Sequence, residues 1–410
     1  MALSAKVGQF NTPGATGNQV ITGVGFQPTF IFFLTGLGAA GAATSVRFSY
    51  GWTAGAGKDV AFYGFGVDNQ STTDTGRSHR RDFCIYRCST TLATSDQASL
   101  VSFDSDGFTL NWGAIAATAQ PVAYLALGGD AVANAGAGPT IPTSGATVAL
   151  TGVGFLPTAL LLGNGAASIT PSANADGNFI GFGAAGSDAA EASFTLSSPN
   201  GTSLGTTDVG SALDTDSILQ TLTMNGASLP TVESEAALSS FDSDGFTLGI
   251  SDSPAATVAT SYGALRGLQA KVGTFTKRTS IGTQAITGVG FTPKAGIFWS
   301  FSSSAGIANS ISAAMSVSDG TTEYSVGIGD VDARTTSTNV NRRISTTKGV
   351  YVVSNAVALQ GEADVQSWDS DGFTLNWTTA DASAQAIGYM VFGDPAAPPP
   401  STFTPRTIVF

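Results

Sequence analysis

ITGVGFQP at Ile21–Pro28 returns as LTGVGFLP at Leu150–Pro157 and as ITGVGFTP at Ile286–Pro293. In the same order, FDSDGFTL at Phe103–Leu110 returns at Phe241–Leu248 and as WDSDGFTL at Trp368–Leu375. One folding unit is therefore written three times. Repeats of this length imply whole domains rather than the thin layers of a solenoid, whose periods run about 20–50 residues. The first and third copies align almost without gaps: 265 residues separate Phe26 from Phe291, Asp104 from Asp369 and Tyr124 from Tyr389. The middle copy is longer between its two motifs, with 87 residues from Phe155 to Asp242 against 78 in each flanking copy. The spacing places domains at residues 1–129, 130–267 and 268–394, followed by a Pro-rich arm over 395–410.

Within each copy the signals are those of β structure. Phe108, Leu110 and Trp112 alternate with Thr109 and Asn111, the period-two pattern of a strand with one buried face. TFIFFL at Thr29–Leu34 reads as a short strand buried on both faces. Each copy closes on an apolar run around a tyrosine, VAYLALGG, TSYGALRG and IGYMVFGD. Gly and Ser/Thr clusters punctuate the chain, and long 3.6-residue periodicity is hard to find. The expected fold is all-β: three tandem β-sandwich, jelly-roll-like domains and an extended C-terminal tail.

Composition narrows the function. Only 11% of the 410 residues are charged, against roughly 25% in ordinary domains, while a hydrophobic content of 42% excludes global disorder. A surface with so few charges is expected to be covered largely by partners. The net charge of −12 is uneven: Asp130–Leu265 holds 12 acids and no Lys or Arg, which leaves the remainder neutral. The middle domain alone is acidic, so the three domains meet different surroundings. No basic stripe suits nucleic acid, and no run of about 20 apolar residues suits a membrane span. The N-terminus lacks the basic and apolar regions of a signal peptide. Cys84 and Cys88, four apart in a strand-like segment, read as free thiols, compatible with assembly in a reducing cytoplasm.

Three features could carry chemistry or contacts. The Asp pairs Asp104/Asp106, Asp242/Asp244 and Asp369/Asp371 offer oxygen ligands for calcium. An EF-hand register would need a Glu six residues after the Gly, and finds Gly113, Ser251 and Thr378. The competing reading is a hairpin turn capped by Asp side chains. GVGF reads as a sharp link between adjacent strands, too short to cradle phosphate. Arg77, Arg80 and Arg81, with Arg342 and Arg343 in the same region of the third copy and Arg342 one repeat offset from Arg77, form basic loops that are either solvated or docked on an acidic partner. His79 is the only histidine, and no nucleophile elbow accompanies it, so no catalytic site and no cofactor are expected. Ile408, Val409 and Phe410 end the tail on an apolar run, either a frayed terminus or a strand added to a neighbour's sheet.

The combination of Gly23–Pro28, Asp104–Trp112 and Tyr124–Gly128, with their counterparts, resembles β-sandwich modules of bacteriophage virion proteins of the capsid-decoration, head-fibre and tail-fibre type. The resemblance implies a non-enzymatic virion component, assembled in the host cytoplasm and carried on the outer surface of the particle. Its partners would be capsid or other virion proteins, or a host-surface glycan. A single chain of three like domains suits a local threefold position, where it would clamp neighbouring capsid subunits as a decoration protein. The alternative is a receptor- or glycan-binding fibre, which would present exposed aromatic loops such as Phe48–Trp52.

Overall fold

The computed structural model describes residues 2–36, 38–165, 173–205, 209–223, 230–301 and 306–397. Ile408, Val409 and Phe410 lie outside these residues. The chain is all-β, and its described strands form six antiparallel sheets, three of seven strands and three of four. In the first unit the larger sheet runs Leu3–Asn11, Pro121–Gly129, Pro28–Gly36, Val46–Thr53, Asp59–Gly66 and Thr75–Arg80. The smaller sheet runs Gly17–Thr22, Gly107–Ala114, Thr94–Asp104 and Ile85–Cys88. The second and third units repeat this order with strands from Val132–Ile141 to Val258–Arg266 and from Gln269–Thr276 to Ala386–Gly393.

Both faces of each larger sheet are apolar. In Pro28–Gly36, Ile31 and Phe33 turn toward the smaller sheet and pack with Phe108, Leu110 and Trp112. Phe30, Phe32 and Leu34 turn the other way, into a core that all three units share. Successive strand residues point to opposite faces, so a run of five consecutive hydrophobic residues supplies two cores at once. In the shared core Phe182 of the second unit touches Phe32 and Tyr50 of the first (ring centroids 6.1 and 5.7 Å) and Trp299 of the third (5.5 Å). Tyr50 Oη donates to the Gly181 carbonyl at 2.8 Å, and Trp52 Nε1 to the Tyr262 carbonyl at 2.9 Å. These bonds satisfy the polar tips of two buried rings across the unit boundary. The expected exposed loop at Phe48–Trp52 is corrected: it lies in strand Val46–Thr53, with Phe48, Tyr50 and Trp52 at 2% exposure or less, and points into this core.

The seventh strand of each larger sheet comes from another unit. Ala173–Asp176 joins the first unit's sheet, Gly306–Asn309 the second's and Gly41–Thr44 the third's. The exchange is cyclic, each unit giving one arm and receiving one.

The two repeated motifs are halves of one clasp. GVGF carries the chain from the smaller sheet to the larger, so it links strands of different layers rather than neighbours in one sheet. Asp106 accepts from the Gly23 and Gly25 amides at 3.1 and 2.7 Å. Asp244 does the same for Gly152 and Gly154 (3.0 and 2.6 Å), and Asp371 for Gly288 and Gly290 (3.1 and 2.6 Å). Gly107, at φ 153°, lets the DSDG turn press against the other chain: a Cβ there would lie 1.9 Å from the Ile21 carbonyl oxygen. Gly14, by contrast, has open space around it. Gly107→Ala is therefore expected to cost about 2–4 kcal/mol and Gly14→Ala under about 1 kcal/mol, as read by chemical denaturation.

Candidate functional site

Three of the residues that the sequence marks as candidate contacts, Arg77, Arg81 and Arg342, lie at the seams between units. Each arm ends in one residue held at positive φ: Ser45 (63°), Gly177 (79°) and Ser310 (72°). This single left-handed step turns the chain from the neighbour's sheet into its own. Each kink is gripped from both sides. Its amide donates to a carbonyl at the start of the receiving strand or just before it: Gly177 to Thr75 at 2.9 Å, Ser310 to Val209 at 2.7 Å and Ser45 to Val340 at 2.6 Å. Its carbonyl accepts from a side chain two residues further along that strand. Arg77 Nη1 reaches the Gly177 oxygen at 2.9 Å, Ser211 Oγ the Ser310 oxygen at 3.1 Å and Arg342 Nη1 the Ser45 oxygen at 2.6 Å.

Two of the basic residues expected on solvent-facing loops are thus structural clamps within strands. Arg77 lies in Thr75–Arg80, 2% exposed, and also donates to the carbonyls of Gly165 (2.8 Å) and Asp176, with its guanidinium 5.4 Å from the centre of the Phe179 ring. Desolvation lowers its pKa to about 10, and its carbonyl partners hold the cation in place. Arg342, in Val340–Ser345, also donates to the Thr44 carbonyl at 2.7 Å. Arg81 reaches across to Ser261 Oγ (3.1 Å) and the Thr260 carbonyl (2.6 Å) of the second unit. Arg343 stays within its own unit on the Tyr351 hydroxyl (2.6 Å), and Arg80 pairs with Asp82 at 2.7 Å. His79 is fully buried, its Nε2 2.7 Å from Ser261 Oγ and its ring stacked on Phe62. Burial, then the nearby Arg81 charge, lowers its pKa to about 3, so it stays neutral.

A second cyclic set of contacts caps the same receiving strands. Asn200 Oδ1 accepts from the Thr75 amide (2.9 Å), Asp332 Oδ1 from Val209 (3.1 Å) and Asp68 Oδ1 from Val340 (3.0 Å). Each cap comes from the unit that donates the arm to that same strand. Sequence reading missed these residues, because an isolated Asp or Asn in a polar loop carries no signal of its own.

The calcium candidates are engaged otherwise. Asp106, Asp244 and Asp371 face backbone N–H donors, which favour an anion and repel a cation. Asp104, Asp242 and Asp369 each accept from a Ser and a Thr hydroxyl at 2.7–2.8 Å, from Ser102/Thr109, Ser240/Thr247 and Ser367/Thr374. Among the described residues no three metal-binding side chains converge. Cys84 and Cys88 are free and buried in separate clusters.

No family model matches the chain, and no curated protein does. Among solved structures it is similar to a chain titled "Structure of infectious bursal disease virus Gx strain", at 10% identity, covering 97% of this chain and 68% of that one, with a TM-score of 0.09. That likeness is too slight to carry an argument.

Arg77→Ala would strand three carbonyls at a buried seam, and is expected to destabilise the protein by about 2–4 kcal/mol. Arg343→Ala, within one unit, should cost under about 1 kcal/mol, and paired denaturation curves distinguish the two. Chelator or added calcium should leave the melting temperature unchanged, whereas Asp106→Ala should lower stability by about 1–3 kcal/mol.

Proposed function

We propose that this protein is a non-enzymatic structural component of a bacteriophage particle, a decoration protein that sits at a local threefold position on the capsid and clamps the subunits around it. The observation that carries the reading is the cyclic exchange of arms among three units around one shared core. That exchange makes a single chain a body of threefold shape whose three outer surfaces are free to differ. The charges do differ, with every base absent from Asp130–Leu265. A homotrimer would present three identical faces; the fused chain presents one acidic face and two nearly neutral ones, as three inequivalent neighbours would require.

The residues whose types suit catalysis serve the fold: the motif carboxylates hold turns, and His79 is a neutral seam contact. Binding only to the assembled shell would stabilise it over its parts by mass action. A fibre that binds receptors or glycans is the other reading, and it loses the aromatic loop that favoured it, since Phe48, Tyr50 and Trp52 are core residues.

The decisive experiment mixes the purified protein with capsids lacking it and images the particles. Density for one chain at local threefold positions, with capsids more resistant to heat, is the expected result. Saturable binding to host cells or glycans, with none to capsids, would overturn the proposal.

A further inference from the structure

We propose that three equivalent carboxyl groups, Asp59, Glu191 and Glu323, latch the two sheets of each unit together and take up a proton in the fold, so that the folded body gains stability as the pH falls from about 8 toward 5. The long strand of each smaller sheet carries a bulge at the same place: the register slips around Val101, Ser239 and Gln366. A bulge leaves an amide without a ladder partner. In each unit the amide just before the bulge donates across the sandwich to a carboxylate at the start of a larger-sheet strand. Leu100 donates to Asp59 (3.2 Å), Leu238 to Glu191 (2.8 Å) and Val365 to Glu323 (2.8 Å). One contact occurs three times with its geometry kept, although the residue type changes from Asp to Glu. Asp59 and Glu323 are 2% and 6% exposed.

The surroundings of each latch favour the protonated form. Desolvation is the main cause, the neighbouring charges are chiefly like charges, and together they outweigh the latch amides and the Thr53 and Ser318 hydroxyls, whose hydrogen bonds favour the ionised form. Asp82 faces Asp59, which also has the Thr53 hydroxyl and the neutral Cys84 thiol beside it; Asp214 and Asp216 face Glu191; Asp364, itself paired with Lys348, faces Glu323, whose Oε1 also takes the Ser318 hydroxyl at 2.9 Å. The carboxyl pKa values rise to about 6 for Asp59 and about 7 for Glu191 and Glu323. In the unfolded chain these groups titrate near 4. Between those values the folded protein holds protons that the unfolded chain has released, so stability increases as pH falls through the window. Asp214, raised to about 6 chiefly by desolvation, acts in the same direction. His79 opposes them: it stays neutral when folded and takes a proton near pH 6.5 when unfolded, so its contribution falls on acidification. Three latches outweigh one imidazole.

The test is the melting temperature of the full chain at pH 8, 6.5 and 5.5 in buffers of matched ionic strength. The expected result is a rise of several degrees from pH 8 to 5.5. Asp59→Asn, Glu191→Gln and Glu323→Gln keep an acceptor oxygen for the bulge amide and remove the titration. Each should flatten the profile in part, and the triple variant should remove most of the rise while folding at every pH. A wild-type melting temperature that is flat or falls toward pH 5.5 would overturn the proposal, as would a triple variant with an undiminished slope. If the triple variant fails to fold, the three single variants decide: the proposal stands only if each reduces the slope.

Discussion

Everything in this structure follows from larger sheets that are apolar on both faces. A sandwich covers only one face of such a sheet, and the other must be buried by something else. Phe30, Phe32, Leu34, Tyr50 and Trp52 of the first unit would all face water if that unit stood alone. At about 1.5–3 kcal/mol for each large side chain left exposed, this amounts to a substantial part of a domain's net stability. The neighbours supply the cover. The exchanged arms, the kinks and the caps are how backbone groups at the margins of that shared core find partners once side chains have brought the three sheets together.

The sequence made the layers legible where side-chain periodicity is strict. TFIFFL announces a strand with two buried faces, and SDGFTLNW a strand with one, because residue type alternates with direction along an extended chain. The seams were far less legible. Arms such as Gly41–Thr44 and Ala173–Asp176 are four residues of mostly small side chains, and they pair with strands some 300 and 95 residues away respectively. Their pairing is almost wholly backbone, which leaves little trace in residue type. Arg77 and Arg342 were visible as matching bases but misplaced on loops, since a run of arginines reads as solvent-facing unless their carbonyl partners are known.

A signal for the latches did exist. An acid opens a larger-sheet strand in all three copies, Asp59 ahead of VAFYGFG, Glu191 ahead of ASFTLSS and Glu323 ahead of YSVGIGD. Its meaning depended on the bulge opposite, which is a matter of register between strands far apart in sequence. The DSDG carboxylates illustrate the same limit from the other side. Their spacing suggested local capping, whereas the donors to Asp106 are 81 and 83 residues away, on the other repeated motif. The two most regular stretches of the chain recur together because each completes the other.

Fusion also explains which differences between copies are tolerated. Cyclic contacts have to be matched in kind but not in residue: the kink carbonyl needs a donor, and Arg77, Ser211 and Arg342 each provide one. The step after an arm needs positive φ, and Gly177 adopts it freely while Ser45 and Ser310 bear some strain. In a homotrimer any substitution at a seam is repeated three times and its cost multiplied. On one chain each seam can change alone, so the second unit carries Ser211 where the flanking units have an arginine, and holds a single base, Arg266, while the flanking units hold many. The charge asymmetry and the strict retention of donors, kinks and caps therefore have one cause: the seams are constrained by the backbone groups they must satisfy, and the outer surfaces are free of that constraint.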